Sequence, residues 1–417
     1  MGSLSTPTLS DGARAATLAF EISLPLGAMT MKPLHLLATL VAACAAQPAI
    51  AQQAELPVTA PSVDSFKIAG TFRLRGEGRV PDVSGTSRDY QARVRLNFDV
   101  QVDDFIGAFI EFQNSTSVGD ASEFDLHQAY ATLSDLFNIV DLQLGRFEMK
   151  YGNQRMVSPL DWSNTGRAWD GARFQHNDSD YTIDLFITKP VENQGASANA
   201  DRGFSGVYYE RKLGEMDTDW YLFSRQDGER DDYTLGFLLE GEVEGYSWET
   251  ELAAQFGDAD VGVDAGGFAF ALRADTKVYG DWKVGIGYEY ASGDTDPTDG
   301  KDDGFAPLFD FTHAYHGNQD LVVWNNLSDF VIRTAAPIDD NWNWYGDMHV
   351  FYQAEKEVSS GGDYLGLELD FGLKGYIGQN VLFWGGLSQF IAGDTDQING
   401  SLNEDETWAF AQVGLRF

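Results

Sequence analysis

The chain has 417 residues, of which 13% are aromatic and 44 are Gly, a combination richer in both than a soluble enzyme usually carries. A formal charge of −36 excludes nucleic-acid binding through a general positive field. Cys44 is the only cysteine and falls inside an export signal, so the mature chain is expected to lack disulfides, thiolate metal sites and a cysteine nucleophile.

Residues 1–28 have no periodicity and no basic n-region, and they read as the product of an upstream start. From Met29 a signal peptide takes shape: Lys32 supplies the positive charge, Leu34 to Ala46 form the apolar h-region, and Ala49-Ile50-Ala51 is an A-x-A cleavage site. Residues 1–51 are therefore expected to be upstream segment plus signal, with cleavage near Ala51/Gln52. Val41-Ala42-Ala43-Cys44 loosely resembles a lipoprotein box, which leaves lipidation open as the alternative. Residues 52–65 are read as a periplasmic tail and 66–417 as the folded domain. No later apolar run approaches the ~18–20 residues of a membrane helix. If the mature chain spans a membrane, a closed barrel must do it.

From residue 66 onward, apolar and polar residues alternate with period two. Phe66, Ile68, Phe72 and Leu74 share one face; Lys67, Thr71, Arg73 and Arg75 share the other. Val94, Leu96 and Phe98 oppose Arg93, Arg95 and Asn97. Tyr246, Trp248, Leu252 and Phe256 oppose Ser247, Glu249, Glu251 and Gln255, and Leu365, Leu367, Leu369 and Phe371 oppose Glu368 and Asp370. Segments of ~10–14 residues suit tilted membrane strands better than a soluble sandwich. Short turns such as 103–104, 178–180, 244–245, 280–281 and 337–340 alternate with longer stretches near 80–88, 150–166, 190–202, 258–265, 292–325 and 393–404. The fold expected is all-β: a transmembrane antiparallel barrel of about 18 strands, with short periplasmic turns and long extracellular loops. The last segment alternates down to a terminal aromatic, Phe417, which resembles outer-membrane assembly signals.

Four arginines occupy the wet face of the first two strands, Arg73 with Arg75 and Arg93 with Arg95. Adjacent strands bring such pairs together. They form either an anion-attracting wall, as rings of Arg or Lys do in pores, or ion pairs with Glu77, Asp99 or Glu111 that stiffen the barrel. The segment 144–174 is densest in functional residue types: Arg146, Lys150, Arg155, Arg167 and Arg173, interleaved with Glu148, Asp161 and Asp170. The phase set by Val140, Leu142 and Leu144 puts Arg146 on the lipid side unless a bulge resets it or the residue lies beyond the hydrocarbon. The ~17-residue loop here has room to fold inward and narrow a pore.

Leu144-Gly-Arg-Phe-Glu-Met-Lys-Tyr-Gly-Asn-Gln-Arg155 and Asp161-Trp-Ser-Asn-Thr-Gly-Arg-Ala-Trp-Asp-Gly-Ala-Arg173 resemble the central signature of the alginate export family of outer-membrane channels. A second match runs from Gly287-Tyr-Glu-Tyr-Ala-Ser-Gly-Asp through Phe305-Ala-Pro-Leu-Phe309 and His313-Ala-Tyr-His-Gly317 to Asp320-Leu-Val-Val-Trp-Asn-Asn-Leu327. The resemblance implies a monomeric 18-stranded barrel whose arginine-rich constriction passes a polyanionic chain, with Arg146, Arg155, Arg167, Asp170 and Arg173 on its motif. Expected partners are outer-membrane lipid and lipopolysaccharide of a Gram-negative cell, and an anionic polysaccharide or small solute.

The acidity departs from that pattern. Asp258, Asp260, Asp264, Asp302, Asp303, Asp394, Asp396, Glu404, Asp405 and Glu406 fall in long loops, where they can face outward while the lumen stays basic, since screening acts within ~8 Å. Asp294, Asp296 and Asp299 are the weak candidates for a loop-bound Ca²⁺, but their spacing is not that of an EF-hand and a solvated loop is the simpler reading. No cofactor is otherwise expected. His313, His316 and His349 show no metal-ligand spacing and read as loop or lumen residues. No nucleophile elbow is present. Three functions stay open: an anion channel of the alginate export type, a nutrient-uptake porin for sugars or small acids, and, from another class, a barrel enzyme or adhesin.

Overall fold

A computed structural model describes residues 62–117, 119, 121–191, 202–356 and 361–417. The export signal, its cleavage site and most of the expected tail lie outside the described residues.

Alternation of side chains makes each segment a strand, and the strands join into one antiparallel barrel. In chain order they are β1 (Ser65–Pro81), β2 (Ser87–Gln101), β3 (Ile106–Ser117), β4 (Glu123–Leu136), β5 (Val140–Phe147), β6 (Trp169–Asn177), β7 (Tyr181–Pro190), β8 (Arg202–Leu213) and β9 (Met216–Asp227). There follow β10 (Arg230–Val243), β11 (Tyr246–Asp260), β12 (Phe268–Tyr279), β13 (Trp282–Ala291), β14 (Leu327–Pro337), β15 (Trp342–Gln353), β16 (Tyr364–Ile377), β17 (Val381–Ala392) and β18 (Glu406–Arg416). The sheet counts 20 strands, and two of these are short loop strands, Val263–Ala265 and Lys301–Asp302, so the wall has eighteen.

Closure comes from β1 pairing with β18, Thr71 opposite Arg416 through Pro81 opposite Glu406. Gly70 and Phe417 extend that seam through Gly70 N–H to Phe417 O (2.8 Å) and Phe417 N–H to Gly70 O (3.1 Å). A Cβ on residue 70 would sit 2.5 Å from the Phe417 ring, which is why glycine stands there. Full closure leaves no sheet edge unpaired, the condition for crossing lipid with strands.

The end where β1 begins and β18 finishes has only short connections: 102–105, 137–139, 178–180, 214–215, 244–245, 280–281, 338–341 and 378–380. Glu244 and Gly245 both take positive φ (52° and 84°), the geometry a two-residue hairpin needs. The opposite end carries the long segments 148–168, 292–326 and 393–405, although its 228–229 connection is as short as any.

The outer face is apolar, with Phe66, Ile68, Leu235, Ile286 and Leu387 exposed. Exposed Trp220, Tyr246, Tyr279, Trp282 and Tyr376 ring the short-turn end, and exposed Tyr90, Phe124, Tyr233, Phe256 and Tyr352 ring the other. Two aromatic girdles flanking an apolar band is the arrangement a bilayer demands.

The interior departs from a polar, open lumen. Phe186, Phe204, Tyr208, Tyr221, Phe223, Phe351 and Phe390 point inward and are buried. They receive Phe147, Met149, Tyr151, Met156, Val157, Phe305 and Trp324, all from or beside the two longest loops. Those loops fold into the barrel and meet: Val157 bridges Phe309, Ser158 N–H donates to Phe309 O (2.9 Å), and Phe309 N–H donates to Met156 O (3.0 Å). Burying such side chains contributes about 1.5–3 kcal/mol each, which anchors a segment that has no strand of its own. Leu365 also differs from expectation. The register slips between Phe351 and Tyr352, whose partners are Gly366 and Tyr364. Leu365 is left unopposed and turns into the interior cluster instead of toward lipid.

Candidate functional site: an arginine-pinned constriction

Arg73 and Arg93 stand opposite each other across β1 and β2, one ladder position from Arg75 and Arg95 on the same face. All four are buried. What buries them is the loop 148–168. Asp161 O accepts from Arg73 Nη1 (2.6 Å) and Arg93 Nη1 (3.1 Å), and Ser163 O accepts from Arg73 Nη2 (2.7 Å) and Arg93 Nη1 (3.0 Å). Trp162 O accepts from Arg75 Nη1 (2.8 Å), Asn164 O from Ser115 Oγ (2.7 Å) and Thr165 O from Gln113 Nε2 (2.7 Å). Five successive carbonyls thus find side-chain donors on the wall. That satisfies a backbone with no ladder of its own.

Three of the four arginines are ion-paired. Arg75 pairs with Glu77 (2.7 Å), and Arg93 with Asp161 (2.6 Å). Arg95 pairs with Glu148 (3.0 Å) and, more distantly, with Asp161 (3.5 Å) and Glu111 (3.7 Å). Arg73 bonds only neutral carbonyls. The Asp161 carboxylate is 66% exposed to lumen water though the wall surrounds it. Burial works against its charge, but Arg93 and Arg95, then Arg73, outweigh that and hold its pKa below the ordinary carboxylate value. The Trp162 ring lies between Arg75, 4.0 Å from its centroid, and the parallel His313 ring at 3.7 Å.

Across the barrel, Arg155 is enclosed by carboxylates. It reaches Glu249 (2.5 Å), Glu289 (3.2 Å) and Glu251 (3.6 Å). Burial alone would lower its pKa; Glu289 and Glu249 hold it far above the ordinary arginine value. Arg167 donates to Asp310 O (2.8 Å), tying one inward loop to the other, and burial lowers its pKa. Arg173 faces inward from β6, 3.8 Å from Asp184. Lys150 is exposed at the start of the loop.

Arg146 and Asp170 do not face the lumen. Arg146 follows exposed Leu144 by two residues, and the next residue, Phe147, is fully buried. Strand alternation therefore turns Arg146 outward, where Nε and Nη2 grip Asp170 at 2.8 and 3.0 Å. No bulge resets the register through β5 and β6. A motif residue on the loop-side rim staples two strands from outside.

The acid is not confined to the outer loops either. Asp184, Asp232, Glu251, Glu289, Asp329, Glu368 and Asp370 are buried inside the barrel. The lumen is two-signed, with Arg73, Arg75, Arg93 and Arg95 on β1–β2 and buried carboxylates on β7, β10, β11, β13, β14 and β16. The sequence reading missed the surroundings of Arg155: Glu249, Glu251, Glu289, Tyr315 and the neighbouring Arg273. The wet-face phase of Glu249 and Glu251 and the place of Glu289 and Tyr315 in the second motif were the available signals. His316 and His349 are buried in a chain in which His349 Nδ1 contacts Asp329 (2.9 Å) and His316 lies 3.7 Å from Asp329 and 3.8 Å from Glu289. The structure does not gather Asp294, Asp296 and Asp299 into a chelate; each caps a local turn, as Asp296 Oδ1 does for Thr298 N–H (3.1 Å). Among the described residues the three-ligand set is Glu111, His127 and Glu148.

Two cavities lie on the short-turn side of the constriction. One of about 310 Å³ is lined by Arg73, Arg93, Arg95, Asp161, Gln412 and Arg416 among others. The other, about 500 Å³, is lined by residues that include His313, Tyr345 and Trp384, with Lys283, Arg333 and Lys374.

No curated protein matches the chain. Among solved structures, the barrel is similar to OccK2 (OpdF) of Pseudomonas aeruginosa, solved in complex with glucuronate, with a TM-score of 0.66 and 11% identity, covering 86% of this chain and 100% of that one. It is also similar to OccK11 (OpdR) of the same organism (0.64, 12%, 84% and 96%) and to OccAB3 of Acinetobacter baumannii (0.62, 11%, 84% and 99%). At such identities the likeness shows the fold alone. The family model for alginate export matches residues 65–410, essentially the whole barrel. The chain belongs to the alginate export family.

Proposed function

We propose that this barrel is a diffusion channel of the Gram-negative outer membrane for anionic solutes, with its short turns in the periplasm and its long loops outside. The observation that carries this reading is Arg73. Its guanidinium bonds only carbonyl oxygens, so its charge is uncompensated by a direct ion pair, and it borders a cavity shared with Arg93 and Arg416. Such a group replaces part of an anion's lost hydration at a narrow zone. The barrel works as a monomer in this reading.

A second observation bears on solute size. The two inward loops meet at the Val157–Phe309 bridge, and the cavities that remain on the short-turn side measure about 310 and 500 Å³. Spaces of that size suit single sugar acids, and the glucuronate complex of the similarly folded OccK2 fits this. Passage of an anionic polysaccharide requires the two loops to part.

Planar-bilayer recording tests both. Cl⁻ preference and block by uronate monomers are expected; absence of current refutes the channel, and cation preference refutes the anion path. Longer oligomers that block without crossing favour uptake of small acids over polymer passage.

A further inference from the structure

Strands β2, β3 and β4 and the residue just after β5 place Arg95, Glu111, His127 and Glu148 side by side on the inner wall. One oxygen of each glutamate and a ring nitrogen of His127 all lie within 4.8 Å of one another. Glu111 and His127 are buried, while Glu148 keeps a quarter of its side chain open (24%). The Arg95 guanidinium fills the space among them. Its Nη1 lies 3.0 Å from Glu148 and 3.7 Å from Glu111, and its Nη2 lies 3.0 Å from His127 Nε2.

That guanidinium matches the charge of the site but not its nitrogen. His127 Nε2 is also 2.7 Å from Glu148 Oε1. A single ring nitrogen either donates or accepts. If it donates to Glu148, it meets an Arg95 N–H donor; if it accepts from Arg95, its lone pair meets a carboxylate oxygen. A metal cation removes the conflict, because the nitrogen lone pair and both carboxylates then address one positive centre.

Arg95 has somewhere to go. Its Nε is held by Gln113 Oε1 (2.7 Å), and Asp161 Oδ1 lies 3.5 Å from Nη1. The cavity of about 310 Å³ is lined by Arg95, Glu111, Glu148 and Asp161 together, so it gives an ion a path in and the guanidinium a place to turn.

We propose that Glu111, His127 and Glu148 form a binding site for a divalent transition-metal cation such as Zn²⁺, filled when Arg95 swings toward Asp161. The ion brings two positive charges where the guanidinium brought one. The displaced guanidinium adds its charge to the cavity beside Arg73 and Arg93. Metal occupancy therefore strengthens anion preference, a consequence that rests on the anion-path reading; the binding itself does not.

Calorimetric titration of the detergent-solubilised full chain with ZnCl₂ tests the site. Wild type is expected to take up one equivalent. His127→Ala should bind roughly tenfold or more weakly, and Arg95→Gln, freed of its competitor, roughly tenfold more tightly. Each variant is first checked for the heat-dependent gel shift of a closed barrel; tighter binding by Arg95→Gln cannot come from misfolding. No saturable uptake by wild type, or equal uptake by His127→Ala, overturns the site, and unchanged affinity in Arg95→Gln overturns the displacement. Bilayer recording with Zn²⁺ then separates the two claims: binding without a shift toward Cl⁻ refutes the anion-path consequence and leaves the site standing.

Discussion

Arg155 lays its guanidinium 4.1 Å from the centroid of the Tyr315 ring, joining the two inward loops face to face. Arg273 approaches the same ring at 4.6 Å from the wall and shares Glu289 with Arg155. One aromatic ring thus carries two cations, and three glutamates neutralise them.

Arg155→Ala should be the most damaging single change in the loop. It leaves Glu251 without a cation and Glu249 and Glu289 with Arg273 alone in a buried space, a defect that costs about 3–5 kcal/mol. Melting followed by circular dichroism should show the loss, and amide exchange should rise across 148–168. Unchanged exchange there would mean that the apolar contacts of Met156 and Val157 hold the loop unaided.

Arg73→Gln keeps hydrogen-bond donors for Asp161 O and Ser163 O while removing the charge. Loop position, and with it single-channel conductance, should stay within about twofold, whereas the reversal potential in a KCl gradient should move toward cation preference. A variant with the wild-type reversal potential would make Arg73 a purely structural tie.

Trp162→Ala removes the slab between Arg75 and His313. Conductance is expected to rise, since the loop carrying it spans the lumen, while the melting temperature changes little because the barrel seam is untouched. A fall in conductance would show that the emptied space collapses.

The carboxylate of Asp161 titrates below the usual range, so its contribution to loop docking is present at neutral pH and is lost only as pH falls through that lowered value. Anion preference should increase over the same acidic window as the negative charge disappears. Asp161→Asn should show the higher preference already at neutral pH and lack this component of the pH response, which paired reversal-potential titrations would reveal.

Period-two alternation was enough to define the wall, because lipid on one side and water on the other leave each strand one allowed phase. The same rule placed Arg73, Arg75, Arg93 and Arg95 inward and, through Leu144, turned Arg146 outward against the pull of its motif. Alternation fails where a loop supplies the environment. Phe186, Phe204 and Phe223 face inward because segments 147–157 and 305–324 fold over them, and no local pattern encodes a contact between residues a hundred positions apart. Glu289 stood in the second motif; that it would meet Arg155 depends on where the loop comes to rest. Leu365 was misplaced because a one-residue slip in register leaves no mark in composition.

The wall grips residues 161–165 through main-chain oxygens, and every residue type offers one. Drift at Ser163 and Thr165 therefore leaves these carbonyl bonds intact, while the side chains there change. A channel built this way can alter what it admits without relearning how to hold its loop. Diversity among relatives should concentrate in the residues that face the passage, and the arginines that hold the carbonyls should be the slower to change.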